Sequence, residues 1–421
     1  MAFQQGLSGL NAASRNLDVI GNNIANANTV GMKSSRAEFA DVYAAAAGTS
    51  GSTGLGVSVA AVSQQFTQGN ISVTGNNLDV AINGGGFFEL KQSDGTTAYT
   101  RAGNFKLDKE GNMVTNEGAK VMGTMFKDGV PSSQGPLSLP SGKLMAAKPT
   151  AEVKAVLNLP ANEPAPTPPI PPAVPNPATR ATFGTSVNVY DAQGVSRPLN
   201  LYFEKTATPN MWSVFDKLDR PASVAPPPGT PAFTAIALGT VRFDGSGKNP
   251  ITTPPQLTSQ VDVSPANPNT ATPPTISVNI VLTGSTQFGS KFGVTELQQD
   301  GYAEGKLTSF NIASDGKVMA SYSNGVTRSE AEIGLVNFRN AQGLAPGGGN
   351  LWVATSDSGE PMVGKPGAGN LGMLRSGALE DSNVDLTSEL VNMMVAQRSY
   401  QANAQTIKTQ DQVLSTLLNM R

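Results

Sequence analysis

Residues 386–418 read Leu386-Thr-Ser-Glu-Leu390-Val-Asn-Met393-Met-Val-Ala-Gln397-Arg-Ser-Tyr400-Gln-Ala-Asn-Ala404-Gln-Thr-Ile407-Lys-Thr-Gln-Asp411-Gln-Val-Leu414-Ser-Thr-Leu-Leu418. One stripe through this run, Leu386, Leu390, Met393, Gln397, Tyr400, Ala404, Ile407, Asp411, Leu414 and Leu418, advances alternately by four and three residues and is mostly apolar. That spacing predicts a helix with a coiled-coil-like seam. Ser382 and Asp385 precede it and Glu389 falls in its first turn, as helix N-termini prefer. The other end of the chain carries a matching stripe through Phe3, Leu7, Leu10, Ser14, Leu17, Gly21 and Ile24, and an Asn-rich segment before Gly31 ends it. A chain finished by two such helices exposes an apolar seam unless they pair with each other, with neighbouring copies, or with both. The ends therefore read as assembly elements.

Between them the composition changes. The 421 residues include 45 glycines and 30 prolines, and only 14% are charged, against a usual level of about 25%. Many turns and short strands follow from that, so the fold class is mixed and mostly β. The formal net charge of −2, without a long basic or acidic run, offers no footprint for nucleic acid or an anionic membrane surface. Cysteine and histidine are both absent. Disulfides, thiolate or imidazole metal sites, Ser-His-Asp and Cys-His catalysis are thereby excluded, and no cofactor or metal is expected. No stretch approaches the roughly 20 apolar residues of a membrane span, and no Sec-type leader is readable, so composition by itself reads as a soluble chain.

The pattern predicts terminal helices over 1–30 and 385–421, and a linker region over 31–70 and 371–384. A first β-rich domain over 71–145 and 286–370 would carry an inserted outer β domain over 146–285. Within the linker, an Ala run at 44–47 and Gly-Thr-Ser-Gly-Ser-Thr-Gly at 48–54 precede a single extended strand. Hairpin turns are signalled by Asp94-Gly95, Glu110-Gly111, Glu117-Gly118, Asp128-Gly129, Asp315-Gly316 and Asn324-Gly325. Strands are predicted at 151–159, 183–190, 197–205, 211–218, 238–244 and 275–283. Proline-dense loops are predicted at 160–177 and 221–231.

Several residues in these segments also carry a resemblance. Gly6-Leu-Ser-Gly-Leu-Asn-Ala-Ala13, Leu17-Asp-Val-Ile-Gly-Asn22-Asn23-Ile-Ala-Asn26 and Asn28-Thr29-Val-Gly31-Met-Lys33 resemble the N-terminal signature of the bacterial flagellar axial proteins, the rod and hook subunits. Leu78-Asp-Val-Ala-Ile-Asn-Gly84 is similar to the strand that opens their first β-domain. Ser376-Gly-Ala-Leu-Glu380, Asn383-Val-Asp-Leu386 and Ala396-Gln-Arg-Ser-Tyr-Gln-Ala-Asn-Ala404 resemble the C-terminal signature. Met32 stands where the family usually has an aromatic residue. The resemblance covers roughly 1–145 and 290–421, and the large inserted block favours hook-type over rod-type members.

It implies a non-enzymatic structural subunit that self-assembles into a helical homopolymer, a curved flexible tube passing motor torque from rod to filament as a universal joint. Its subunit interface would comprise Phe3, Leu7, Leu10, Leu17, Ile24, Leu386, Leu390, Met393, Tyr400, Ile407, Leu414 and Leu418. Asn22, Asn23, Asn26, Thr29, Gly31 and Lys33 would be signature positions. Expected neighbours are a distal rod protein, a hook cap protein and a hook–filament junction protein. Export would run through the flagellar type III apparatus to an extracellular location, without membrane insertion. Phe39 and Tyr43 resemble the export-gate motif, although an ordinary packed aromatic pair explains them equally well.

Other readings stand beside this one. A distal-rod-type subunit would have the same ends, and a β-rich carbohydrate-active enzyme could work through carboxylates. Glu380, Asp381 and Asp385 are explained as helix N-terminal charge. Gly84-Gly85-Gly86 lacks a following Gly-Lys-Ser/Thr and reads as a turn before a strand rather than a phosphate loop.

Overall fold

The computed structural model describes residues 2–42, 56–127, 129–140, 142, 144–164, 183–216, 237–262 and 275–419. Tyr43, Asp128, the 44–54 run, most of 160–177 and all of 221–231 lie outside these residues, as does the side chain of Leu418. The chain divides into two units. The first comprises Met1–Ser141, Thr308–Ser321 and Thr327–Arg421, and the second Gly142–Leu307 with Tyr322–Val326.

In the first unit, helix α1 spans Ala2–Ala25 and helix α2 spans Leu386–Asn419. Asp385 caps α2, its Oδ1 accepting from the backbone N–H groups of Thr387 (2.9 Å) and Ser388 (3.2 Å), which satisfies two donors left over at the helix start. The helices run antiparallel: a Cβ built on Gly6 would lie 3.1 Å from Ile407, one on Gly9 would lie 2.8 Å from Asn403, and Asn23 reaches Glu389. Intramolecular pairing is thus one of the coverings realised.

The region expected as a linker with one strand is instead an antiparallel hairpin, β1 (Ser35–Val42) with β2 (Gly56–Gln64), in which Phe39 faces Val59. Strand β1 was not legible because Ser-Arg-Ala-Glu-Phe-Ala-Asp-Val lacks clean alternation and its partner supplies the ladder. The 371–384 stretch likewise holds strands, Met373–Ser376 and Ala378–Glu380, which pair with Val80–Asn83 and Ile71–Val73. The two halves of the chain are sewn together there.

The main sheet of this unit places neighbours in the order Thr327–Ile333, Lys120–Lys127, Phe87–Lys91, Thr97–Thr100, Leu351–Val353 and Ala345–Gly348. Phe88, Leu90, Val121, Val318, Ile333 and Leu335 of this sheet are buried in one core together with Val80, Ile82 and Leu137. A second, aromatic cluster packs Phe87, Tyr99, Phe338 and Trp352, with Phe66 edge-on to Phe87 at 5.4 Å. Trp352 Nε1 donates to Gln64 Oε1, fixing the end of β2 to that cluster. Gly95, Gly111, Gly118, Gly129, Gly316 and Gly325 all have positive φ, as the turn dipeptides require.

The second unit is built from two five-stranded sheets. In one, Glu152–Pro160 pairs with Thr275–Val281, Thr286–Phe288 and Gly293–Gln299. The other is an antiparallel meander of Phe183–Tyr190, Ser196–Lys205, Met211–Phe215, Ala237–Arg242 and Ile251–Thr253. Val153, Ala155, Leu157 and Leu159 alternate inward from the first sheet and pack with Leu199, Leu201, Phe203 and Trp212 of the second around one core. The expected boundary at 285 is therefore corrected: 286–307 belongs to the inserted unit, because its strands complete the ladder on Glu152–Pro160.

One turn of this unit makes a pH-dependent expectation. Asp244 accepts from the Lys248 and Ser246 N–H groups, the Ser246 hydroxyl and the Asn249 amide, and these bonds, led by Lys248, lower its carboxyl from 3.8 to about 2. A carboxyl more acidic when folded contributes stability that is complete above its ordinary value and lost as pH falls through its folded one. In a Trp352→Phe background, where Trp212 alone reports, the urea midpoint of the parent should exceed that of Asp244→Asn at pH 6. The gap should close between about pH 4 and pH 2.

Candidate assembly surface

The signature residues at the two ends converge on one buried ionic cluster. Glu380 is wholly buried and accepts from Lys33 Nζ at 2.6 Å, the Gly69 N–H at 2.9 Å and Arg101 Nη1 at 3.2 Å. Lys33 also donates to the Thr67 carbonyl (2.7 Å), and Arg101 to the Gly84 carbonyl (2.9 Å) while lying over the Phe87 ring. Burial pushes the Lys33 ammonium below its ordinary value, against the opposing pull of Glu380, and burial lowers Arg101 in the same way. Glu380 is thus not helix N-terminal charge, as its sequence position suggested; it lies in a strand and joins three segments. Asp381 likewise accepts from the Ser72 hydroxyl, leaving Asp385 as the cap.

Around this cluster the other signature positions close backbone gaps. Asn23 is buried, exchanging a pair of hydrogen bonds with the Ser35 backbone at 2.8 and 2.9 Å, which sets the direction in which β1 leaves α1. Asn26 bonds back to the Asn22 carbonyl and accepts from Thr29, ending the helix by side-chain competition. Gly31, at φ +71°, donates to the Glu380 carbonyl at 2.8 Å, and a Cβ there would stand 2.5 Å from the Ala102 nitrogen. Asn383 accepts from Ser34 N–H and donates to the Gln65 carbonyl, clipping the C-terminal segment onto the hairpin. Lys33 carried a family signal, but its partners Glu380 and Arg101 were not identified from sequence. Nothing local marks a pairing between residues hundreds of positions apart.

The helix pair resolves the apolar stripes into two sets. Against each other the helices bury small residues, Gly6, Ala12, Ala13 and Ala396, with Ile20 and the half-buried Met393 and Ile407. Leu10, Leu17 and Ile24 are half-buried. Phe3, Leu7, Leu386, Leu390, Tyr400 and Leu414 remain exposed, by 37–53%. The seam between α1 and α2 keeps Met393 and Ile407 of the predicted stripe and otherwise runs one position earlier on α2, through Glu389, Ala396 and Asn403. Small residues permit close approach, and along the seven-residue row Met393, Tyr400, Ile407 and Leu414 the first and third are half-buried while Tyr400 and Leu414 are left open. Phe39 is exposed on β1. Gly84-Gly85-Gly86 is a tight turn, with the Gly85 carbonyl accepting from Gly372.

The first unit thus has two helical ends joined through buried charge to a β-rich body, with apolar side chains uncovered on the helices. Family models match in four consecutive parts: flagella basal body rod protein at 3–33, the flagellar hook protein FlgE/F/G D1 domain at 81–153, the flagellar basal body protein FlaE D2 domain at 158–302, and the flagellar basal body rod FlgEFG protein C-terminal region at 375–420. Flagellar hook protein FlgE of Salmonella typhimurium is 43% identical over 428 residues, covering all of both chains, and that of Escherichia coli K12 is 44% identical over the same length. FlgE of Treponema pallidum is 32% identical, covering 99% of this chain and 98% of its own. The crystal structure of Helicobacter pylori flagellar hook protein FlgE2 has a TM-score of 0.53 at 17% identity, covering 73% of this chain and 100% of its own, and shares the fold. The chain belongs to the flagellar hook protein family.

Removing Glu380 would leave two buried cations without their anion. Glu380→Ala should cost about 3–5 kcal/mol of stability in the first unit, read as a lowered urea midpoint of Trp352 fluorescence in a Trp212→Phe background. The Trp212 transition in the reciprocal background should move far less.

Proposed function

We propose that this chain is the structural subunit of the bacterial flagellar hook, located in that exported extracellular structure, and that it polymerises into a curved tube serving as a universal joint. The observation that carries the reading is the full-length similarity to hook proteins together with the uncovered apolar face of the terminal helices. A distal-rod-type subunit is not favoured, since curated relatives matching the whole chain, inserted unit included, are hook proteins. The family is a structural one, and catalysis forms no part of the reading.

Heterologous contacts that do not close on themselves generate helical filaments. Phe3, Leu7, Leu386, Leu390, Tyr400 and Leu414 are the side chains offered to neighbouring copies, and burying each contributes about 1.5–3 kcal/mol relative to exposure. Met393, Ile407, Leu10, Leu17 and Ile24 support that face from within the helix pair. The sandwich of the second unit governs curvature, because polar, hydrated contacts between such domains tolerate sliding that a dry core resists. The ends of the tube meet a distal rod protein, a cap protein and a junction protein. Phe39 with Tyr43 serves recognition by the type III export apparatus.

Because Leu390 and Leu414 are about half exposed in the single chain, Leu390→Asp with Leu414→Asp should leave its circular dichroism unchanged. The double variant should form no tubes under electron microscopy at concentrations where the parent does. Normal curved tubes from the variant would overturn the proposed interface.

A further inference from the structure

The outward face of α2 carries a second feature, distinct from the predicted stripe. Val391 and Met394 are 49% and 52% exposed, and Arg398 stands beside them. Arg398 is exposed and has no ion pair among the described residues. Glu389 lies nine positions earlier, roughly two and a half turns at about 3.6 residues per turn, so the two side chains leave the helix on opposite sides. Glu389 faces α1.

There it lines a groove of about 510 Å³ between α1, α2 and β1, whose walls include Ala12, Ala13, Ile20, Ala37 and Phe39. Its Oε1 is shared at only 3.5 Å with the Asn23 amide, and its Oε2 is buried without any hydrogen-bond partner. The other charged residue lining the groove, Arg36, is already paired with Glu38 at 2.9 Å. The groove therefore holds a carboxylate without a cation, among mixed apolar and uncharged polar walls, while the back of the same helix presents a free guanidinium beside exposed apolar side chains. Their separation along one helix prevents pairing within the chain. Opposite placement makes the contact heterologous, so each copy can give one half and receive the other without closing a dimer.

We infer that the Val391, Met394 and Arg398 face of α2 in one copy seats in the α1–α2–β1 groove of a second copy, with the Arg398 guanidinium on the Glu389 carboxylate. This deepens the hook-subunit reading and rests on it. A guanidinium and a carboxylate meeting inside an apolar contact fix its register as well as its strength.

The test is charge exchange in the full chain, with the critical concentration for polymerisation measured by sedimentation and the tubes checked by electron microscopy. Arg398→Glu alters only an exposed position and should keep the parent's circular dichroism and thermal midpoint. It should raise the critical concentration at least about tenfold. Glu389→Arg should do the same, and the double variant Glu389→Arg with Arg398→Glu should recover most of the loss. Polymerisation of Arg398→Glu at the parent's concentration overturns the pairing, as does a natively helical double variant that recovers nothing. A parent chain that forms no tubes at all would instead count against the hook-subunit reading.

Discussion

Everything in the first unit depends on one buried carboxylate. Glu380 comes from the segment leading into α2, Lys33 from the segment leaving α1, and Arg101 from the β-rich body, so three distant stretches are held at a point that water does not reach. Desolvating three charges is costly, and a hydrophobic cluster of equal volume could be as stable. What the ions supply is direction: bonds of 2.6 to 3.2 Å that fix orientation, where apolar side chains would allow slippage. Gly31, Asn383 and Asn23 extend that fixity into the backbone of the hairpin and both helices. The cluster thereby joins the segments that flank both helices to the β-rich body of the same unit.

The helix pair shows why the same element can be both folded and unfinished. Gly6, Gly9, Ala12 and Ala13 let α1 lie close to α2, and close approach leaves little room for large side chains between them. Leucines and valines of both helices are left exposed on the outside. Helix α2 thus meets α1 through Ala396 with the half-buried Met393 and Ile407, and leaves Leu386, Leu390, Tyr400 and Leu414 exposed. Glu389 and Arg398, on opposite sides, add charge to that division.

The legible parts were those with short-range causes. Asp385 and the four-three spacing placed the start of α2 to within a residue, and dipeptides such as Asp94-Gly95 and Asn324-Gly325 marked hairpins because glycine alone takes positive φ there without strain. The strand at Glu152–Pro160 was readable from alternation, but its partners at Thr286–Phe288 and Gly293–Gln299 were not, since neither run shows a period that distinguishes one domain from another. Strand β1 was missed for the same reason, its order coming from β2 and from the Asn23 bonds to Ser35.

By itself, the sequence determined that both ends are helical, that a turn-rich β body separates them, and that histidine- and cysteine-based chemistry is impossible. Periodicity, caps and residue types act over a few positions and need no partner to be read. Tertiary structure alone decided which face of each helix is spent inside the chain, where the inserted unit ends, and that Glu380 is an ionic joint rather than helix-end charge. Those outcomes turn on contacts between residues as far apart as Lys33 and Glu380, whose pairing depends on the path of the backbone through space.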